Sequence, residues 1–383
     1  MMLVLSGAAS ASTADSLPIA DAHVHYSHDS VDLTPPERVI ELMRAANLKF
    51  ALVSSSDDNG TQLLSQLAPD LIVPGLRPYR RRGELGSWFR DDAALAYVED
   101  LLARNRYATI GEFHLYGRDA DLPIPRRIVE LAVEHNLVLH AHSDSEAVER
   151  LLAQDPTVKV LRAHAGFDEP EGIAEMLAKH DRLWADLAFR GDVSYGGELS
   201  DEWVTLFTDF PDRIMLGTDT YTPERMYFLP SHASESRLWL ANLPDDLAER
   251  IAWRNAHDLL MPHWNANKAA ANAQQNCDPA VDGSHLVRVE PMSTVVVSQP
   301  FSALVTVCGH GAGSARVQLD AQMPAHGHGM NYQPRHQVAT QSDSLLQVQV
   351  DGLVLHMPGV WRWEVDIRSP GERNTVTQDF SVQ

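Results

Sequence analysis

Cysteine is nearly absent from this sequence, whose 383 residues contain only Cys277 and Cys308. These two cysteines form no metal-binding motif, and one pair is not a disulfide framework. A single disulfide in an oxidising compartment and two unrelated thiols are both open interpretations.

Basic residues and long apolar segments are also scarce. Lysine and arginine number 31 against 52 aspartates and glutamates, which gives a net charge of -21 at pH 7. This charge argues against sequence-independent binding to nucleic acids and against docking on anionic lipids. No segment is long and apolar enough to cross a bilayer. We therefore expect a small-molecule substrate, no nucleic-acid partner and no membrane insertion, and the oligomeric state stays open.

Residues 1–16 combine a short apolar start with small residues. Ala9, Ser10 and Ala11 would suit cleavage by a signal peptidase, although the start carries no positive charge. A signal peptide and a flexible tail are the two interpretations. We expect export to the periplasm or out of the cell, with the cytoplasm as the alternative.

Between residues 17 and 264, short apolar runs alternate with amphipathic helical stretches, from a first run at Ile19 to His25 to an eighth at Arg213 to Gly217. Strands that alternate with helices pair in parallel, because a parallel crossover needs a connection of helix length. Eight such units in about 240 residues predict an α/β fold, a (β/α)8 TIM-like barrel. A doubly wound open sheet is the alternative, but no glycine-rich phosphate loop follows the first run.

Histidines and acids lie at the ends of several runs, where barrel enzymes carry their chemistry. His23 and His25 point to the same side, because side chains alternate along a strand. The further candidates come at the ends of later runs: Arg77, Glu112, His114, His140, His142, His164 and Asp219. Nitrogen and carboxylate ligands that converge on one mouth predict a site for Zn²⁺ or a similar divalent ion.

Five motifs in order resemble those of the amidohydrolase superfamily, most closely its amidohydrolase-related branch. They are Asp-Ala-His-Val-His (21–25), Ile-Gly-Glu-Phe-His (110–114), Val-Leu-His-Ala-His (138–142), Arg-Ala-His-Ala-Gly (162–166) and Leu-Gly-Thr-Asp-Thr (216–220). The resemblance covers residues 18–262. It implies a metal-dependent hydrolase that acts on a small-molecule ester, lactone, amide or related bond, or alternatively a non-oxidative decarboxylase.

The resemblance also implies roles for single residues. His23, His25 and His140 would be metal ligands. His164 would bind a second metal or polarise the attacking water. Asp219 would contact metal and water and act as the general base.

Other candidates keep two interpretations each. Glu112 resembles the bridging glutamate of TatD-type nucleases, a related branch with two metals, so both one and two ions are open. Arg77, His114 and His142 are candidates for substrate binding. A solvated loop for Arg77 and a polar rim for the two histidines are the alternatives, and His142 could replace His140 as the ligand.

The composition changes after residue 264. Residues 265–285 are polar and rich in alanine, which predicts a frayed helix end and a linker. Residues 286–383 contain short alternating runs separated by turn residues such as Asp351-Gly352. This pattern predicts a small all-β sandwich of the immunoglobulin type.

The sandwich sequence carries methionines and histidines that resemble the motif of YtkA-like modules, exported domains sometimes found beside copper proteins. The residues are Met323, His326, His328, Met330, His356 and Met357. Thioether and imidazole ligands favour copper, whereas packing against Trp361 and Trp363 is the structural alternative. A non-catalytic copper-binding or copper-handling protein is thus a further interpretation of the whole chain.

Overall fold

The structure is a computed structural model that describes residues 17–275, 286–309, 312–325, 328–330, 333–342, 345–369 and 372–382. It divides into two compact units at Lys268 and Ala269. The predicted signal peptide or tail at 1–16 lies outside the described residues. Among the described helices, none has both the length and the apolar character needed to cross a bilayer.

The first unit is the predicted parallel barrel. Its strands are β1 (Ile19–Val24), β2 (Leu48–Ser55), β3 (Ile72–Leu76), β4 (Thr109–Leu115), β5 (Val138–Ser143), β6 (Val160–Arg162), β7 (Leu183–Asp186), the small hairpin β8 (Ser194–Tyr195) and β9 (Glu198–Leu199), and β10 (Ile214–Met215). Eight of them form one sheet in the order β1-β2-β3-β4-β5-β6-β7-β10. The amides of Ala22 and His25 donate to the carbonyls of Leu216 and Thr220, which brings the last strand to the first and nearly closes the barrel.

Helices connect the strands and pack their apolar faces on the sheet. They are α1 (Asp29–Leu33), α2 (Pro36–Ala45), α3 (Asn59–Leu67), α4 (Asp92–Arg104), α5 (Pro123–Glu134), α6 (Ser145–Gln154), α7 (Pro170–Lys179), α8 (Asp201–Asp209), α9 (Pro223–Leu240), α10 (Asp245–Glu249) and α11 (Asn255–Gln275). In α2, for example, Val39, Leu42 and Met43 are buried at the spacing of one helix face. Prolines stand at the N-terminal turns of α2, α5, α7 and α9, where a missing amide proton costs nothing.

The segment predicted as a frayed helix end and a linker begins as helix. Helix α11 continues to Gln275, so residues 265–275 are helical, and residues 276–285 lie outside the described residues. The physical reason is the alanine content of this segment, since alanine has the highest helix propensity.

The second unit is an all-β sandwich, as predicted. Its strands are β11 (Leu286–Pro291), β12 (Phe301–Cys308), β13 (Arg316–Met323), β14 (His328–Gly329), β15 (Arg335–Ser342), β16 (Leu345–Leu353), β17 (Gly359–Ser369) and β18 (Glu372–Val382). They form two antiparallel sheets, in the orders β11-β12-β16-β15 and β14-β13-β17-β18. The sequence did not predict β15, because it is a polar edge strand.

The sandwich core contains part of the predicted copper motif. Met323 is buried in the core with Trp361 and Trp363, and Met330 and Met357 pack against it. The ring of His356 meets Trp361 edge-on, with centroids 5.4 Å apart. His326 and the side chain of His328 lie outside the described residues, so copper binding stays a prediction. Cys308 is disulfide-bonded, and Cys277 also lies outside the described residues.

A buried acid supports the barrel wall between β2 and β4. One carboxylate oxygen of Asp58 accepts hydrogen bonds from the Tyr107 hydroxyl at 2.6 Å and the Gln62 amide at 3.0 Å. The other oxygen has no partner among the described residues. Burial outweighs these hydrogen bonds and raises the pKa of Asp58 to about 6.

This raised pKa predicts a pH dependence of stability. An unfolded aspartate has a pKa of about 3.9, so the folded protein holds the proton of Asp58 more tightly than the unfolded chain. The stabilisation is fully present below pH 4 and is lost as the pH rises to about 6. Two pKa units amount to about 3 kcal/mol.

We expect Asp58→Asn to remove this loss. Between pH 4 and pH 7.5, the free energy of unfolding of the variant should rise by about 3 kcal/mol relative to the unsubstituted protein. Urea unfolding at several pH values measures the difference. The control is Asp181→Asn, at a side chain that is 98% exposed, and its difference should not change with pH. A pH-independent difference for Asp58→Asn would contradict the prediction.

Candidate metal centre

The candidate residues at the strand ends converge on one cavity of about 610 Å³. His23 lies on β1 and His25 directly follows it. The other candidates lie on β4 and β5 or in the segments that follow β3, β6 and β10. Those that line the cavity itself are His25, Arg77, Glu112, His114, His142, His164 and Asp219. The barrel therefore brings together side chains that are up to 196 positions apart along the chain, from His23 to Asp219.

Three buried imidazoles are oriented by acceptors behind them. The Nδ1 atom of His25 lies 2.6 Å from the Ser54 carbonyl oxygen, and that of His164 lies 3.0 Å from the Ala188 carbonyl oxygen. Since a carbonyl only accepts, both Nδ1 atoms carry the proton and both Nε2 atoms keep a lone pair. The Nδ1 atom of His23 faces a carboxylate, which favours the same tautomer.

The outer nitrogens of the first-strand pair face each other. The Nε2 atoms of His23 and His25 are 3.1 Å apart, and Oδ1 of Asp219 is 3.7 and 3.3 Å from them. A proton on His23 or a metal cation is needed to hold these two nitrogens and the carboxylate together at such distances. This donor set suits a divalent metal ion with nitrogen and oxygen ligands.

Glu112 occupies the centre of the cluster. Its Oε1 lies 2.9 Å from Nδ1 of His142 and 3.3 Å from Nε2 of His164. Its Oε2 lies 3.1 Å from Nε2 of His25 and accepts a hydrogen bond of 2.8 Å from Arg77. The carboxylate therefore joins the first-strand histidines on one side to the fifth- and sixth-strand histidines on the other.

His140 lies beneath this group rather than beside Glu112. Its Nε2 is 2.9 Å from the Asp186 carboxylate, and its Nδ1 has no hydrogen-bond partner among the described residues. Of the two fifth-strand histidines, the structure places His142 next to Glu112 and His164, and these three could hold an ion together. His140 forms a separate group with His23 and Asp186.

Asp186 is a site residue that the sequence interpretation missed. It ends β7 and is fully buried. Its carboxylate faces Nδ1 of His23 at 3.2 Å and accepts the backbone amides of His164 and Ala188, each at 3.0 Å. The available signal was an acid inside the apolar run Leu-Trp-Ala-Asp-Leu-Ala, where only a partnered carboxylate is tolerated.

The charges of the cluster favour a bound cation. Burial alone would lower the pKa of His23, but the carboxylates of Asp186, Glu112 and Asp219 raise it well above its usual range. Burial would raise the pKa of Asp219, yet His23 and His25 lower it to about 2. Burial would also raise the pKa values of Asp186 and Glu112, but His23 and the neighbouring histidines lower them well below their usual range. All three acids are therefore ionised at neutral pH.

Arg77, His114 and His142, which the sequence predicted to bind substrate, already contact other residues of the site. Arg77 is buried and already donates to the carboxylate and the backbone carbonyl of Glu112. His114 stacks on His142 with ring centroids 4.1 Å apart, and burial lowers its pKa to about 3. Its Nδ1 lies 3.0 Å from the Tyr79 hydroxyl. His114 and His142 line the cavity as stacked rings.

The loop after β6 has an unusual backbone. The four residues His164 to Phe167 all have positive φ angles between 50° and 72°, although only Gly166 is a glycine. A left-handed residue with a Cβ costs roughly 1–2 kcal/mol. Arg162 supports the turn from below, because it donates to the Ser143 carbonyl and to the carboxylate of Asp168. The turn is therefore held by buried hydrogen bonds against its own strain.

Comparison with known proteins gives one family. A family model described as amidohydrolase matches residues 20–261. No curated protein matches the chain significantly. Among solved structures, the chain is similar to a β-aspartyl dipeptidase from the thermophilic keratin degrader Fervidobacterium islandicum AW-1, with 14% identity, a TM-score of 0.40 and coverage of 58% of this chain and 65% of the dipeptidase. A family 123 glycoside hydrolase from Clostridium perfringens has 6% identity, a TM-score of 0.18 and coverage of 24% and 22%. The chain thus spans less than two thirds of the length of that dipeptidase.

We expect Asp186→Asn to weaken metal binding by 10- to 100-fold, because the amide cannot accept the Nδ1 proton of His23 as a carboxylate does. Competition with a zinc chelator measures the affinity. The control Asp70→Asn removes an exposed acid that pairs only with Arg44 on the surface, and it should leave the affinity unchanged. Equal affinities for the two variants would show that Asp186 does not orient the site.

We expect Gly166→Ala to destabilise the barrel by about 2 kcal/mol or more. A Cβ at this position would lie 1.9 Å from the guanidinium carbon of Arg162, in addition to the strain of the positive φ angle. Denaturant unfolding measures the change. Gly86→Ala is the matched control, because its Cβ would meet nothing within 4 Å. A loss no larger than that of the control would contradict the described turn.

Proposed function

Since the chain belongs to the amidohydrolase family, we propose that it is a metal-dependent hydrolase that cleaves a small-molecule ester, lactone, amide or related bond with water. One observation carries this proposal. The Nε2 atoms of His23 and His25 lie 3.1 Å apart, with Oδ1 of Asp219 within 3.7 Å of both, at a cavity large enough for a small molecule.

The ligand set we propose differs in one place from the sequence interpretation. His23, His25 and Asp219 would hold one ion, with Glu112 shared. His142 and His164 would hold a second ion with Glu112, because these three lie within reach of a common ion. Zinc is the ion we propose, since the set combines imidazole and carboxylate without sulfur. A divalent ion bound there supplies Lewis acidity, which lowers the pKa of water and polarises the bond to be cleaved.

The chain's own residues would move the proton. Asp219 is ionised at neutral pH and partly open to the cavity, with a side chain 14% exposed. It would accept a proton from the attacking water and pass it to the leaving group. His164, fixed through its Nδ1 hydrogen bond to the Ala188 carbonyl, would keep its Nε2 lone pair directed at the second ion.

We also propose export from the cytoplasm. The support is the disulfide at Cys308, because disulfides persist mainly in oxidising compartments.

Metal removal and readdition test the proposal. We expect a chelator to abolish hydrolysis across a panel of lactones, esters, amides and phosphoesters, and zinc to restore it for at least one class. His23→Ala should lose bound metal and at least 100-fold in kcat/KM. His257→Ala is the control, because this histidine lies on α11 away from the cavity and contacts only Asp258 by hydrogen bond.

Two other outcomes would redirect the assignment. Release of CO2 from a carboxylic acid, without cleavage of any bond in the panel, would replace hydrolysis by decarboxylation. A single ion per chain under saturating zinc would remove the second site from the proposal and leave Glu112 as a ligand or partner of one metal only.

A further inference from the structure

The cavity above the candidate metal centre has an apolar part that the hydrolytic chemistry does not use. Phe167, Phe189 and Tyr221 line it, and they are 55%, 45% and 48% exposed. Large aromatic side chains are costly to leave half in water, and each can bury a large apolar area against a ligand. Their place in the wall of the cavity points to a small-molecule ligand rather than to a protein surface.

The two phenylalanine rings are fixed in position. Phe167 stacks on His164, with centroids 4.7 Å apart and planes 14° from parallel. The guanidinium of Arg225 lies 4.2 Å from the centroid of Phe189, and the Phe189 ring lies 6.2 Å from that of Tyr221. Binding of a group against these rings therefore costs little conformational entropy, because the side chains of the protein are already ordered.

Both phenylalanines also have a strained backbone. The φ angles of Phe167 and Phe189 are 56° and 58°. A bulky residue adopts this left-handed region rarely, and such strain of about 1–3 kcal/mol persists where the surrounding structure imposes it, often at ligand sites. The two loops after β6 and β7 thus present their rings to the cavity from the same unfavourable conformation.

The charges of the cavity restrict the rest of the ligand. Its lining contains two cationic side chains, Arg77 and Arg82. Arg77 pairs with Glu112 at 2.8 Å, and Arg82 pairs with Asp29 at 2.7 Å. The buried guanidinium of Arg77 is committed to Glu112, whereas the Arg82–Asp29 pair is more than 60% exposed. The buried part of the cavity therefore offers no free positive charge to a second anionic group of the substrate.

We propose that the cavity selects substrates in which an uncharged aromatic ring lies next to the bond to be cleaved, held by Phe167, Phe189 and Tyr221. This inference rests on the proposed metal-dependent hydrolysis. It names the substrate class of the same site. The ring would lie against the aromatic wall while the reacting group reaches His25, Glu112 and Asp219.

Two matched pairs of probes test the selection. 3-Isochromanone and δ-valerolactone are six-membered lactones that differ by a fused benzene ring, and their kcat/KM values give a preference in turnover. Benzoate and cyclohexanecarboxylate differ in the aromaticity of one ring, and calorimetry on the zinc-loaded protein gives a preference in binding that needs no turnover. We expect the aromatic member of each pair to be favoured at least fivefold.

Variants of Phe167 and Phe189 test whether these two rings cause the preference for the aromatic probes. Phe167→Ala and Phe189→Ala should each reduce it to about twofold or less, and Phe167→Tyr, which keeps the ring, should retain it. Phe228→Ala is the matched control, because Phe228 is 56% exposed but does not line the cavity. A merely structural loss would lower the values for both members of a pair and leave their ratio unchanged.

The outcomes separate the two proposals. Calorimetry in which benzoate and cyclohexanecarboxylate bind equally, in which neither binds, or in which the preference survives both alanine variants would overturn the aromatic selection. Zinc-dependent hydrolysis of any bond in the substrate panel would still support the proposed function in that case. A benzoate preference that depends on Phe167 and Phe189, in a protein without zinc-dependent hydrolysis, would keep the aromatic site and overturn the proposed reaction.

Discussion

The Nε2 atoms of His23 and His25, held 3.1 Å apart, are the interaction on which the rest of the cluster depends. Each imidazole is fixed from behind, by Asp186 and by the Ser54 carbonyl. Neither ring can turn away without leaving a buried polar atom unpaired, which would cost about 1–3 kcal/mol. The two nitrogens therefore need a shared proton or a metal ion between them, and the surrounding carboxylates stabilise that positive charge. The eight-stranded sheet serves this arrangement, because it brings the Asp186 carboxylate from β7 and the Ser54 carbonyl from β2 to the two rings.

Much of this architecture follows from the sequence. The alternation of apolar runs and amphipathic stretches predicted the barrel, since parallel strands need helical crossovers. The ligand types at the strand ends predicted where the chemistry lies, because carboxyl ends of barrel strands share one face. His23, His25, Glu112, His164 and Asp219 do meet there. The local sequence pattern predicts at which end of a strand a residue lies and to which side its side chain points.

The other features of the site depend on how deep a side chain lies in the barrel and on which residues it contacts. The sequence pattern contains neither. His140 and His142 point to the same side of β5. Only His142 reaches Glu112, because His140 lies two residues deeper in the barrel and contacts Asp186. Asp186 lies inside an apolar run of the sequence. Its role depends on contacts with His23 and His140, which are more than 40 positions away along the chain. In the sandwich, the polar edge strand β15 gave no alternating apolar signal, since an edge strand needs little burial.

The left-handed turn from His164 to Phe167 has a consequence for how this site can change. His164 is committed to the cluster, Ala165 is buried, and Gly166 has no room for a side chain above Arg162. Phe167, at the fourth position of the turn, lines the cavity and packs its ring on His164. Diversification in evolution or by library design would therefore concentrate there and at Phe189, so that the scaffold could acquire new selectivities through two loop positions while its reactive centre stays untouched.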